Sequence, residues 1–200
     1  MIIAKRKPME KIIENLKNKR KVLVVGCNLC ASIHNFGGMK QVNEFVEEIK
    51  RNLNIEVVYT SIGRQCDREI VENSLNNLID ECDAIVSLAC GAGVQQISEI
   101  YNLPVYPAND TFLISIENKK EGKIIESCIG CGDCILDKTG GICPKTRCPK
   151  GLLNGPCAGV HDGLCELSTP ENKIPCAWIQ IVNKLIANNE SEKILEIRMP

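Results

Sequence analysis

Residues 21–30 read KVLVVGCNLC. Lys21–Val25, three valines and a leucine behind one lysine, has the length and composition of a buried strand. It runs directly into a Cys27-x2-Cys30 pair. Downstream, Gly38–Leu53 carries Val42, Phe45, Val46 and Ile49 at helical spacing, and Ile55–Thr60 (IEVVYT) reads as a second strand. Asp67–Ile79 is a second helix, with Ile70, Val71, Leu75 and Leu78 apolar. Ala84–Ala89 (AIVSLA) is a third strand and Val94–Tyr101 a short helix. Leu103–Tyr106 and Phe112–Ile116 are short later strands. Strands alternating with helices imply βαβ units, a parallel sheet and right-handed crossovers.

The fold class expected is α/β: a small Rossmann-like parallel-sheet domain over residues 21–122, then an irregular cysteine-rich, metal-binding domain over 123–187. From Cys128 to Cys176 no helical or strand period survives. Gly, Pro and Cys dominate there, and eight cysteines fall within 49 residues. Such a segment has too little apolar area for a core of its own and needs metal to order it. Residues 177–187 (AWIQIVNKLIA) read as a closing helix. The tail, 188–200, is expected to be poorly ordered. Residues 1–20 read as a basic N-terminal helix opened by Pro8, with Met9, Ile12, Ile13 and Leu16 as its packed stripe. Its Lys5, Arg6, Lys7, Lys11, Lys17, Lys19 and Arg20 form a solvated face or a docking surface for an acidic partner. Nucleic acid fits less well, because no aromatic interleaves the charges.

Composition narrows the function. The chain has 200 residues, a formal net charge of −1, 44% hydrophobic and 24% charged residues. No charge imbalance draws it to nucleic acid or to an anionic membrane, and no apolar run approaches the roughly 18 residues of a membrane span. Met1–Lys11 lacks a signal peptide's apolar core, so a cytoplasmic location is expected. The anomaly is cysteine, 13 of 200 residues, against two histidines. A reducing compartment disfavours disulfides, and the odd count argues against a fully paired framework. Thiolate-rich metal sites remain: zinc or iron–sulfur clusters.

On the expected sheet, Cys27 and Cys30 follow the first strand, Cys66 the second and Cys90 the third. All four then lie at the carboxyl edge, where open parallel sheets bind ligands. Gly37-Gly38 and Gly91-Ala92-Gly93 fall where helices begin, and Gly91 and Gly93 are candidates for backbone N–H contacts to an anionic cluster. Arg64 could offset its charge. Cys82 precedes the third strand, at the opposite edge, and reads as a small buried residue. His34 reads as an ordinary packed or exposed side chain. A thioredoxin-like redox pair at Cys27 and Cys30 is the alternative for the first motif, but it leaves Cys66 and Cys90 without a reason.

The later cysteines run Cys128-x2-Cys131-x2-Cys134-x8-Cys143-x4-Cys148-x8-Cys157-x7-Cys165-x10-Cys176. The opening CIGCGDC is similar to a bacterial ferredoxin motif, whose fourth cysteine would fall at Lys138. Ligands must therefore come from farther along the chain. Eight thiolates suggest two four-ligand sites, with a structural zinc module as the alternative for one of them. Spacing does not say which cysteines share a site. No nucleophile–His–acid pattern, P-loop or complete GxGxxG accompanies them, so no catalytic residue is expected.

The run CIGCGDCILDKTGGICPKTRCPKGLLNGPCAG (128–159), with Cys165 and Cys176-Ala177-Trp178, resembles the methylenetetrahydrofolate reductase C-terminal domain family. GCNLCA, ACGAGVQ and PVYPANDT extend the likeness over about residues 20–185. The resemblance implies a non-catalytic electron-transfer subunit of an oxidoreductase complex. It would bind the flavoprotein MetF, which reduces methylene- to methyltetrahydrofolate in the methyl branch of the Wood–Ljungdahl pathway. It further implies two or three [4Fe–4S] clusters, with one zinc as an option, and an electron donor such as ferredoxin or a pyridine-nucleotide-linked subunit. Cys27, Cys30, Cys66 and Cys90 would be ligands in the first half. Cys128, Cys131, Cys134, Cys143, Cys148, Cys157, Cys165 and Cys176 would be ligands in the second. A zinc-ordered scaffold without redox role and a thiol–disulfide oxidoreductase using Cys27 and Cys30 are the competing functions.

Overall fold

The computed structural model describes residues 1–118 and 120–198. The chain divides into two compact units, Met1–Leu113 and Ile114–Pro200.

The first unit is built on a four-stranded parallel sheet: β2 (Lys21–Cys27), β3 (Glu56–Ile62), β4 (Ala84–Ser87) and β5 (Val105–Pro107), in the order β3-β2-β4-β5. Ahead of it come β1 (Ile2–Arg6) and α1 (Met9–Leu16). Between its strands lie α2 (Cys30–Ile33), α3 (Met39–Asn52), α4 (Arg68–Leu75) and α5 (Gly91–Ile100). Val22 and Val24 face one apolar layer with Val42, Phe45, Val46 and Ile49 of α3. Leu23 and Val25 face the other, with Val71 and Leu75 of α4 and Ile97 of α5. The period-2 alternation of a strand covered on both faces thus explains why Val22–Val25 is apolar throughout.

Several boundaries differ from the sequence reading. Residues 1–20 are not one helix, because Ile2–Arg6 forms β1. The Lys7 N–H donates to Ala108 O at 2.9 Å just beyond that strand. Two isoleucines at the chain start favour a strand that the neighbouring charges obscure. α1 keeps the expected stripe: Ile12 and Leu16 are buried in the core with α3. α4 ends at Leu75, short of Ile79, and is capped by the Asp67 carboxylate, which accepts the Ile70 N–H at 3.2 Å. The segment around Phe112–Ile116 is no member of the parallel sheet. It lies in β6 (Asn109–Asn118), which pairs antiparallel with β7 (Lys123–Cys128), Ile116 opposite Ile125.

Among the described residues of the second unit, regular structure comprises the β6–β7 pair, one turn of helix α6 (Pro144–Arg147), α7 (Ala177–Ala187) and a 3-10 turn at Ser191–Leu195. α7 buries Trp178, Ile181 and Leu185. The tail is tied down where it was expected to be loose: the Arg198 N–H donates to Asn154 Oδ1 at 2.7 Å, and Asn154 Nδ2 donates to Arg198 O at 2.9 Å. Residues 199–200 of that expectation lie outside the described residues.

Candidate metal centre

All thirteen cysteines are free thiols. In the first unit, β2 ends on Cys27, Cys66 follows β3 by four residues, and Cys90 follows β4 by three. Because β3 and β4 flank β2, the three loops meet at one edge of the sheet. Chain order reverses between β2 and β4, and such a switch point opens a crevice at the carboxyl ends of the strands. Burial pushes the Cys66 thiol up, and the neighbouring Cys90 and Cys27 sulfurs add to it, while Arg64 pulls the other way. Cys27, Cys66 and Cys90 thus share one electrostatic environment. Cys30 stands at the start of α2. The next residue, Ala31, packs with Cys27, Phe36 and Ala89 in a small apolar cluster.

Arg64 is engaged by the Asp67 carboxylate, its Nε donating at 3.0 Å. Of the two glycines proposed as cluster contacts, Gly91 has a local partner and Gly93 stands in close packing. The Gly91 N–H donates to Thr111 Oγ1 at 2.8 Å. A Cβ on Gly93 would stand 2.7 Å from the Gln65 Cβ and 2.8 Å from that of Ala89, so glycine there admits close packing. Gly37 serves the same end, because a Cβ would fall 1.8 Å from Leu88 O. Cys82 is buried in the apolar core, its S–H donating to Leu78 O at 3.5 Å, away from the other thiols. His34 is half-buried, with its Nε2 among the buried atoms without a partner.

The second unit sorts its eight cysteines into two sets of four. Cys128, Cys131, Cys134 and Cys143 line a cavity of about 290 Å³. Gly130 and Gly132 take positive φ, 64° and 72°, which turns the CIGCGDC loop so that three thiols face one space. The Gly130 N–H donates to Cys128 Sγ at 3.3 Å. Lys145, on α6 just past Cys143, donates to Cys131 Sγ at 3.4 Å. Cys148, Cys157, Cys165 and Cys176 line a tighter cavity of about 10 Å³ with Leu152, Val160 and Trp178. Two backbone bonds, Cys165 N to Ile174 O (2.8 Å) and Cys176 N to Gly163 O (2.9 Å), bring Cys165 beside Cys176. Trp178 Nε1 donates to Leu152 O at 2.9 Å and anchors α7 to the segment between Cys148 and Cys157. Lys150 donates to Cys157 Sγ at 3.6 Å. Among the described residues, no group of three or more His, Cys, Asp or Glu side chains stands close enough to hold a single metal ion.

An α/β unit with a parallel four-stranded sheet, joined to a unit organised around two sets of four thiols, defines the class of protein. Residues 106–200 match the family described as methylene-tetrahydrofolate reductase C terminal, which covers both sets of the second unit. No curated protein and no solved structure matches the chain. No helix among the described residues is long and apolar enough to cross a membrane.

Proposed function

We propose that this chain is the small iron–sulfur subunit, of the MetV kind, of a methylenetetrahydrofolate reductase, and that it passes electrons to the flavoprotein MetF. The observation that carries the reading is the division of the eight thiols in the family-matched half into two cavities of four. An all-thiol donor set suits iron–sulfur or zinc chemistry and no hard cation. With Cys27, Cys30, Cys66 and Cys90, the twelve cysteines other than Cys82 form three sets of four.

A bound [4Fe–4S] cluster would supply one-electron transfer. The chain's own residues fix the thiols, and Lys145 and Lys150 place one positive charge against each set of the second unit. Backbone N–H donation to sulfur, as from Gly130, and the lysine charges both favour the more reduced state of such a site. The roomier set, Cys128, Cys131, Cys134 and Cys143, fits a cubane. The resemblance leaves one zinc as an option among the three sets. Substrate chemistry belongs to the partner flavoprotein, in the methyl branch of the Wood–Ljungdahl pathway, with ferredoxin or a pyridine-nucleotide-linked subunit as donor. The reading places the protein in the cytoplasm, where thiols stay reduced.

The test is iron, acid-labile sulfide and zinc per chain after strictly anaerobic purification, with the visible spectrum before and after dithionite. About eight irons with matching sulfide and one zinc, and a visible band that bleaches, support the reading with two cubanes and one zinc. About twelve irons and no zinc support it with three cubanes. Zinc alone, with no bleaching, makes the chain a scaffold and overturns the redox role.

A further inference from the structure

We infer that Gln65 is a positioning residue for the thiol set of the first unit: its carboxamide ties together the end of β2, which carries Cys27, and the loops after β3 and β4, which carry Cys66 and Cys90. The inference rests on the proposed reading of those thiols as metal ligands.

Gln65 is fully buried, an uncommon place for a glutamine, and both ends of its amide are used. Nε2 donates to Val25 O at 2.9 Å, two residues before Cys27. Oε1 accepts from Ser87 Oγ at 2.6 Å, and that hydroxyl accepts the Ala89 N–H at 3.3 Å, one residue before Cys90. Gln65 is itself the residue before Cys66. One side chain therefore bonds to β2, to the end of β4 and, through Ser87, to the turn into α5, from within the loop after β3. The sheet's own ladder does not need it, because Val25 O already accepts the Leu88 N–H at 2.8 Å. Gly93 leaves the room that the Gln65 side chain fills. An apolar side chain would fill that space at less desolvation cost. What an amide adds is direction: two fixed hydrogen bonds that set the loops against one another. Sites whose ligands come from separate loops depend on such supporting contacts.

The experiment uses the full chain, purified anaerobically with its metals. Gln65→Met keeps the volume and removes both hydrogen bonds. Ser87→Ala removes only the hydroxyl link. Val71→Ala destabilises the same unit from its apolar core and leaves the network intact. Iron and sulfide per chain, the electron paramagnetic resonance spectrum after dithionite, and the rate of iron release to a chelator are measured alongside thermal melting. Gln65→Met is expected to lose about four irons per chain and one resonance signal, and Ser87→Ala to release iron several-fold faster. Val71→Ala is expected to melt earlier with wild-type iron and spectrum. Should Gln65→Met fail to fold, the comparison of Ser87→Ala with Val71→Ala decides. Wild-type iron, spectrum and release rate in Gln65→Met or, failing that, in Ser87→Ala overturn the role of Gln65 and leave the proposed function standing. Equal iron loss in Val71→Ala also overturns that role, because instability alone then explains the loss. Wild-type protein without iron and sulfide overturns both.

Discussion

The Lys145 ammonium nitrogen lies 3.4 Å from the Cys131 sulfur. The same lysine faces the Asp133 carboxylate at 3.7 Å, which Arg198 also pairs, and its side chain is only 19% exposed. A cation held this close to a thiolate favours the form of the site with more negative charge, and partial burial limits screening. Lys145→Met should therefore make the site at Cys128, Cys131, Cys134 and Cys143 harder to reduce. A tenfold change in the reduction equilibrium corresponds to about 59 mV for a one-electron couple, and a fall of that order is expected in a mediated redox titration. Lys145→Arg should restore most of it. An unchanged midpoint in Lys145→Met would show that the lysine only pairs with Asp133.

Cys82 and Cys66 should part company on substitution. Cys82 is a core residue packed with Leu23, Val25 and Ile85. Cys82→Ala should cost about 1 kcal/mol through lost packing and a lost weak hydrogen bond, with metal content unchanged. Cys66→Ala should lose about four irons per chain with little effect on the second unit. Urea unfolding and metal analysis on the two variants check this, and iron loss in Cys82→Ala would contradict it.

The opposite placements of these two cysteines, Cys66 after β3 and Cys82 before β4, were legible because a parallel sheet sends every strand's carboxyl end to one edge. The strands β2 and β4 were legible because burial on both faces makes Val22–Val25 and Ala84–Val86 apolar. β1 and β7 were not, and Phe112–Ile116 was legible as a strand but its antiparallel pairing within β6 was not. Lys5 and Arg6 mask a five-residue strand, and Phe112, Ile116 and Ile124 remain exposed, so no alternation marks a buried face. The division of the eight later cysteines was illegible too. Spacings of seven to ten residues carry no pairing. The backbone bonds that join 163–165 to 174–176 have no local signature, and neither does the Trp178–Leu152 contact. Gln65 gave no signal because a buried glutamine in a loop looks like any polar loop residue.

Asp83 should produce an acid limb in the stability of the first unit. Its carboxylate accepts the Arg20 N–H at 2.6 Å and the Lys21 N–H at 3.1 Å, at the entry to β2. Those bonds, with the Arg20 charge, hold the Asp83 carboxyl below the usual aspartate range. A depressed folded-state pKa means the contribution is fully present above the unfolded value of about 3.9 and fades as pH falls through the folded one. Asp83→Asn keeps an acceptor oxygen and removes the charge. Between pH 5 and pH 3 (roughly the window that value defines) the variant should lose less stability than the wild type in parallel urea titrations. Equal losses would mean the protonation of Asp83 is not coupled to folding.

Metal removal should separate the two units. The first has two extensive apolar layers around its sheet, anchored by Phe45, Ile49, Leu75 and Ile97. The apolar cluster of the second is small: Trp178, Ile181 and Leu185 beside Cys176, with Cys148 among the side chains packed on them. A cluster in which cysteines are part of the packing is held together by whatever binds the sulfurs, so metal affinity becomes folding free energy there. After anaerobic chelation, amides of α7 should exchange at least a hundredfold faster, while those of β2 and β4 keep their protection. Hydrogen exchange read by mass spectrometry follows both at once. Retained protection in α7 would mean that the apolar contacts of Trp178, Ile181 and Leu185 suffice without the thiol sites. Loss of protection in β2 as well would mean that the first unit also depends on its bound metal, through Cys27, Cys66 and Cys90.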